Sequence, residues 1–119
     1  MPQNENPKRF DLEDRTFVFA KRARALVKEL TKIIANIEDA RQLIRSSGSV
    51  GANYIEANEA LSKKDFVLRI KICRKEAKET RYWLRLIEAI DHADLERDAL
   101  VQEAQELMNI FGAILRKTE

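Results

Sequence analysis

Apolar residues recur with a helical period along this chain, in four successive segments. From about Leu12 to the low thirties the apolar positions are Phe17, Ala20, Val27, Leu30 and Ile34. A heptad seam follows, of Ala40, Leu43, Ser47, Val50, Tyr54, Ala57 and Leu61. A third segment repeats this spacing at Phe66, Ile70, Cys73, Ala77, Thr80, Leu84 and Ile87, and a fourth carries Leu95, Ala99, Ala104, Leu107, Met108, Phe111 and Leu115. Four helices of similar length with short connections predict an all-α fold, an antiparallel up-down four-helix bundle.

Boundary signals divide the chain into a flexible N-terminal arm over 1–11, rich in Asn, Gln and Pro, and a bundle domain over 12–119. The turn after the first helix is predicted within 31–39, where no Gly or Pro marks it. Ser62 is a predicted N-cap with Asp65 three residues on, in a weak variant of the capping box. The third helix is predicted to reach about Asp91, and Asp94 is the predicted N-cap of the fourth.

The stretch RSSGSVGANYIEA, residues 45–57, has two glycines that could belong to a phosphate-binding loop. Such a loop follows a strand, interrupts the helical period and usually ends in Lys. Here the apolar seam continues through Gly48 and Gly51, so the stretch is predicted to be helix. Since an interior glycine costs roughly 1 kcal/mol relative to alanine, we expect close approach of a neighbouring helix at both glycines.

Composition agrees with one helical domain: the chain has 119 residues, three Gly, two Pro and one Cys. A single cysteine forms no internal disulfide, and neither a signal peptide nor an apolar run of roughly 20 residues is present. A cytoplasmic protein without a membrane partner is therefore expected. The net charge of +2 is unevenly distributed, with 8–32 and 63–91 basic and 36–62 and 93–119 acidic.

The third helix carries a basic stripe beside its core seam. At 100° per residue from Phe66, its members fall between about 60° and 140°, and no acidic residue lies among them. The stripe consists of Lys71, Arg74, Lys78, Arg81 and Arg85. Two interpretations fit it: a solvated face whose long stems cover the core edge, or a surface that binds phosphates. Arg81 has a third option, pairing with an acidic residue of the second or fourth helix.

A second apolar strip lies on the opposite flank of the same helix, at about −100° to −160°. It contains Ile72, Trp83, Leu86 and Ile90, with Glu79 among them. Either the fourth helix or the arm (Phe10 and Leu12) covers this strip, or another subunit does. Contiguous apolar patches usually mark interfaces, which favours a homo-oligomer contact.

Residues for catalysis or metal binding are sparse, so neither an enzyme nor a cofactor is expected. His92, the one histidine, is predicted at a helix end rather than as a base. Cys73 lies on the core seam, where a small apolar role is expected. Glu56 with Glu59, and Glu76 with Glu79, give two E-x-x-E pairs, but di-iron bundles use Glu-x-x-His. No metal site is predicted.

The stretch from Gln42 to Ala57, together with Asp65-Phe66 and the run from Lys75 to Leu84, resembles a known family. It is similar to the four-helix-bundle proteins of 23S ribosomal RNA intervening sequences. These in turn resemble the accessory bundle proteins of diversity-generating retroelements, which are basic pentamers that contact nucleic acid and a reverse transcriptase. The motif residues are Arg45, Ser47, Asn53, Glu56, Glu76 and Arg81.

The resemblance implies a ring-shaped homopentamer, and by that fold-level analogy the basic stripe contacts phosphates. The leading hypothesis is a non-catalytic protein that binds structured RNA, in preference to DNA, through basic stripes repeated around an oligomer. The alternative is a scaffold or adaptor whose basic face binds an acidic protein partner, such as a polymerase, without touching nucleic acid. For the motif residues, structural roles remain open, and Ser46 and Asn53 are expected to form hydrogen bonds across a helix or subunit contact.

Overall fold

A computed structural model describes the backbone of residues 7–118 and the side chains from Leu12 to Thr118. Four helices follow one another: α1 (Pro7–Glu29), α2 (Ile34–Asn58), α3 (Lys63–Leu86) and α4 (Asp91–Thr118). Each packs on its neighbours in a closed cycle, α1 on α2, α2 on α3, α3 on α4 and α4 on α1. Within the described residues, the diagonal pair α2 and α4 meets only through side chains in the core, where the Tyr54 and Phe111 ring centroids lie 6.1 Å apart. The connections are short, so neighbouring helices run antiparallel. The predicted up-down bundle is confirmed.

α1 begins at Pro7, earlier than the start predicted near Leu12. Proline is well suited to the first turn of a helix, where its missing N–H leaves no hydrogen bond unmade. The remainder of the predicted arm, residues 1–6, lies outside the described part of the chain, and so does the side chain of Phe10. A cover for the second apolar strip by that side chain therefore stays a prediction.

The predicted core face of α1 is only partly confirmed: Leu30 is buried and Val27 packs against the core, but Ile34 is 80% exposed and begins α2. Phe17 is 62% exposed, whereas the buried face consists of Leu12, Thr16, Phe19, Ala23, Leu26 and Leu30. Thr16 tolerates burial because its hydroxyl donates to a backbone carbonyl one turn earlier, 2.9 Å from the Leu12 oxygen. A threonine with its hydrogen bond satisfied inside the helix therefore occupies a core position that the apolar pattern assigned elsewhere.

α2 runs without interruption through both glycines, as the seam predicted. All predicted seam residues from Ala40 to Ala57 are buried, but Leu61 lies beyond the helix end and is fully exposed. The two glycines differ in their surroundings. A Cβ on Gly51 would lie 3.0 Å from Thr16 Oγ1 and 3.3 Å from Thr16 Cβ, whereas one on Gly48 would meet only the end of Arg24, at 3.5 Å. The expected close approach of a helix is confirmed at Gly51 alone.

The connections at the two ends of the bundle are fixed by side chains. At one end Ser62 Oγ accepts the Asp65 N–H at 3.0 Å, which confirms the predicted N-cap. At the other end Asn36, almost fully buried, ties the two remaining turns together. Its Nδ2 donates to the Thr31 and Glu88 carbonyls at 3.0 and 2.9 Å, and its Oδ1 accepts the Glu88 N–H at 3.0 Å. This asparagine therefore holds the start of α2 against the α3–α4 turn.

α3 ends at Leu86, short of the predicted Asp91, and α4 begins at Asp91 rather than after Asp94. Instead of capping the helix, Asp94 accepts a hydrogen bond from Arg97 Nη2 at 2.6 Å. Leu95 and Ala99 lie off the seam that Ala104, Leu107 and Phe111 define, so both predicted core positions are exposed. Ala93 and Leu100 occupy the core positions, and the predicted face from Ala104 onward is otherwise confirmed, with Met108 half-buried.

Candidate nucleic-acid interface

The basic stripe of α3 lies on the outside of the bundle. Lys71, Arg74, Lys78 and Arg85 are exposed and Arg81 is half-buried. Elsewhere in the molecule arginines pair with carboxylates, as Arg15 does with Glu103 at 2.6 Å. Within the described residues, no member of the stripe forms an ion pair. Its positive charge is therefore not neutralised by neighbouring side chains and is available to an external anion.

Helix α4 borders the stripe with amides rather than acids. Arg81 Nη1 donates to Gln105 Oε1, so the acidic partner considered for Arg81 is replaced by a neutral one. Gln105 Nε2 in turn donates to Asn109 Oδ1 at 3.1 Å. Because an amide positions the guanidinium without neutralising it, Arg81 keeps its full charge at the edge between α3 and α4.

One further arginine joins this surface from α4. A Cβ on the buried Gly112 would lie 3.5 Å from Arg116 Nη1 and 3.9 Å from Arg74 Nη1, so two guanidinium groups converge over the glycine. The sequence pattern of α3 alone does not include Arg116. The signal for it lies in α4, where a glycine, Gly112, comes one turn before this arginine. We define the basic face as the five stripe residues together with Arg116.

The opposite flank of α3 is held against α2 by an ionic network. Arg45 Nη1 lies 3.2 Å from Glu76 Oε1, and Arg45 Nη2 also donates to Glu79. Glu79 Oε2 accepts the Trp83 indole N–H at 3.1 Å. Burial opposes ionisation of Glu79, but the bonds from Trp83 and Arg45 outweigh it and lower the pKa of the carboxyl. Burial likewise opposes the charge of Arg45, but its contacts with Glu79 and Glu76 outweigh this and raise its pKa. The network fixes the rotation of α3, and with it the outward aim of the basic face.

The second apolar strip divides into two parts. Trp83 is half-buried and packs against the core cluster, and Ile72 is likewise half-buried. Leu86 and Ile90, at the end of α3 and in the following turn, are 47% and 63% exposed. Ile33, Ile34 and Ile37 are exposed at the same end of the bundle, where Asn36 joins the two turns. The exposed part of the strip thus extends onto α2.

Comparison with known proteins identifies the family. A family model described as 23S rRNA-intervening sequence protein matches residues 9–113. The chain belongs to this family. A crystal structure from the S23 ribosomal protein family of Bacteroides thetaiotaomicron, of a protein with unknown function, is 30% identical with a TM-score of 0.77. The match covers 92% of this chain and 98% of that one. No curated protein matches.

Most of the motif residues make contacts inside the bundle. Arg45 and Glu76 belong to the ionic network, and the buried Ser47 hydroxyl donates to the Ile44 carbonyl at 3.3 Å. Asn53 Oδ1 accepts from Arg69 Nη1 on α3 at 3.0 Å. Arg81 contacts Gln105, and only Glu56 is exposed with no polar contact inside the described chain. Three of the six motif residues, Arg45, Asn53 and Glu76, therefore join α2 to α3.

Contacts between helices also account for the expected hydrogen bonds of the second helix. Ser46 is buried and its Oγ lies 2.8 Å from Thr80 Oγ1 of α3. Together with the Asn53–Arg69 bond, this confirms that Ser46 and Asn53 bond across a helix contact. No subunit contact is needed to satisfy either side chain.

The remaining chemically active side chains have structural surroundings. Burial raises the pKa of the Cys73 thiol to about 12, so it is not a thiolate at neutral pH. His92 Nε2 lies 3.3 Å from Glu29 Oε1 near the start of α4. Across residues 7–118, no three His, Cys, Asp or Glu side chains gather in an arrangement suited to a metal ion. None of the helices described combines the length and apolarity that a membrane span requires.

Proposed function

We propose that this protein is a non-catalytic, oligomeric bundle that binds structured RNA through the phosphate backbone. The observation that carries the proposal is the basic face, six exposed or half-exposed cations on α3 and α4 without a carboxylate partner in the described chain. In the sequence alone, a solvated surface is the other interpretation, and it holds for most charged helices. The addition of Arg116, and the amide rather than acid beside Arg81, favour an anion-binding surface.

The shape of the face suits an extended polyanion rather than a small ligand. Lys71 and Arg85 are fourteen residues apart, which corresponds to about 21 Å along the helix axis. Cations at alternating spacings of three and four form a row over that length. Lys and Arg that neutralise backbone phosphates provide affinity that depends on salt and little on sequence. The association of the family with ribosomal RNA intervening sequences makes RNA the preferred candidate.

Self-association is the second part of the proposal. Several copies of the basic face in one assembly act on one RNA, so contacts that are individually weak combine into a strong one. The exposed apolar residues Leu86 and Ile90, continued by Ile37 on α2, are the proposed contact between subunits. Ile72 and Trp83 are half-buried within one chain, and we assign them to the inner border of this subunit contact. The ring of five that the resemblance implies is the assembly proposed.

Co-sedimentation with a structured ribosomal RNA fragment tests the proposal directly. The purified protein is expected to sediment as an oligomer, to carry the RNA at about 50 mM salt, and to release most of it at about 200 mM, since several phosphate contacts lose affinity by orders of magnitude over this range. An oligomer that ignores RNA at both salts would overturn the RNA part and leave the alternative, a scaffold that binds an acidic protein.

The subunit contact makes its own prediction. Leu86→Ser with Ile90→Ser is expected to reduce the assembly to monomers at micromolar protein, while the melting temperature of the bundle changes little, because both side chains are exposed in one chain. The matched control is Leu61→Ser with Leu68→Ser, which removes two exposed leucines at the other end of the bundle. Analytical ultracentrifugation decides: an unchanged oligomer in the first variant, or dissociation in the control, contradicts the assignment.

A further inference from the structure

An exposed tyrosine lies beside the basic face. Tyr82 is 56% exposed on α3, four residues after Lys78 and three before Arg85. Residues at these spacings are neighbours on a helix surface. On the wheel Tyr82 falls at about 160°, next to the stripe and with Lys75 at about 180° on its far side. A large aromatic ring is therefore flanked by cations on the side that faces the stripe, while Glu79 and Leu86 lie on its other side.

The ring of Tyr82 has one aromatic neighbour and is largely exposed. It meets the Trp83 ring in an edge-on contact, with centroids 5.1 Å apart and planes at 75°. Trp83 is itself fixed, through its bond to Glu79 and its packing on the core. In the described chain no cation lies over the Tyr82 ring, unlike Phe17, which Lys21 approaches at 6.0 Å. Nor does a protein group bond the Tyr82 hydroxyl in that same part of the chain.

We propose that Tyr82 is a stacking platform for an unpaired base, and that Lys78 and Arg85 hold the phosphates on either side of it. The inference rests on the proposed RNA binding and narrows its ligand to nucleotides in single-stranded loops or bulges. In a duplex each base already stacks on its neighbours and its face is inaccessible, whereas unpaired bases can lie on an aromatic side chain. Stacking on an aromatic ring accepts any base, which agrees with a surface that lacks groups for reading base edges.

The arrangement is organised for stacking rather than for packing against another protein. The neighbours of Tyr82 one turn away on α3 are Lys78 and Glu79 before it and Arg85 and Leu86 after it, so only one of the four is apolar. The edge contact with Trp83 restricts the ring in advance, so little conformational freedom is lost when a base arrives.

The test compares three probes with two variants. The probes are an oligoadenylate RNA, an abasic ribose-phosphate oligomer of the same length, and a blunt RNA duplex. The variants are Tyr82→Leu, which removes the ring, and Tyr82→Phe, which keeps it. Tyr82→Leu is expected to weaken oligoadenylate binding about tenfold, as the loss of one stacked base implies. Its affinity for the abasic oligomer and the duplex stays unchanged, and Tyr82→Phe stays within about twofold of wild type.

Trp83 supplies a second readout that needs no variant. It is the one tryptophan of the sequence and touches the Tyr82 ring, so its emission is expected to change when oligoadenylate binds and not when the abasic oligomer binds. Equal affinity of wild type for both oligomers, with the salt dependence intact, would overturn the stacking role and leave RNA backbone binding standing. Failure of wild type to bind any probe at low salt would overturn both.

Discussion

Gly51→Leu is expected to lower the free energy of unfolding by about 2 kcal/mol, although leucine is the better helix former. A Cβ at this position would already lie 3.0 Å from Thr16 Oγ1 and 3.3 Å from Thr16 Cβ, before the rest of the leucine is added. Thr16 cannot move aside freely, because it is buried and bonded to the Leu12 carbonyl. Overpacking of this type costs typically 1–3 kcal/mol and occasionally more, while leucine returns less than about 1 kcal/mol of helix propensity.

Gly48→Ala is the matched control, three residues away on the same helix. Its added methyl would meet only the flexible end of Arg24, at 3.5 Å. We expect this variant to be more stable than wild type by about 0.5–1 kcal/mol, the usual gain when alanine replaces a helix-interior glycine. Chemical denaturation of both variants checks the pair. A Gly51→Leu protein as stable as wild type would show that α1 does not rest against α2 at this point.

The contrast between the two glycines shows what the sequence could predict. The uninterrupted seam around Gly48 and Gly51 was enough to predict a helix instead of a loop. It could not show which glycine meets a neighbour, since that depends on where α1 crosses α2. α1 crosses α2 where Thr16 meets Gly51. Thr16 is polar, so a pattern of apolar positions does not include it.

Errors in the core faces have a similar origin. Phe17, Val18 and Phe19 are consecutive in α1, so the apolar pattern offers more than one inward face. The structure buries Phe19 and exposes the other two, because the face that includes Leu12, Ala23 and Leu26 can pack against both neighbouring helices. In α4 the seam that Ala104, Leu107 and Phe111 define leads back to Leu100 and Ala93, and the predicted Leu95 and Ala99 lie off it.

Buried polar residues were the least predictable part of the molecule. Asn36 and Glu76 are buried because their partners, Glu88 and Arg45, come from other parts of the chain. No local pattern shows such pairs. The basic stripe, by contrast, depends only on spacing within α3, and all five residues lie on the outer side of that helix as expected. Arg116 was missed because it joins the stripe from α4 through a contact between helices.

Loss of three charges from the basic face is expected to weaken RNA binding about a hundredfold at about 0.1 M salt. The variant combines Lys71→Gln, Lys78→Gln and Arg85→Gln. The three cations are exposed and form no ion pair in the described chain, so their loss should leave the fold unaffected. Each phosphate contact contributes roughly 0.7–0.9 to the slope of log affinity against log salt. The triple variant should therefore show a slope shallower by about 2–3.

A matched control removes the same charge elsewhere. This variant carries Lys21→Gln, Lys28→Gln and Lys32→Gln, on α1 and in the turn after it. In the described residues the backbone of α1 does not come close to that of α3. If binding reflected only the net charge of the protein, this variant would lose as much affinity as the first. If the basic face is the site that binds RNA, the affinity and salt slope of this control variant should stay close to those of wild type.

The salt slope of RNA binding, measured for wild type and these two triple variants by fluorescence anisotropy, is the most direct test of the basic face as an RNA-binding surface. The predicted result is a shallower slope and a large loss of affinity for the α3 variant alone. Equal slopes in all three proteins, or equal losses in both variants, would contradict it.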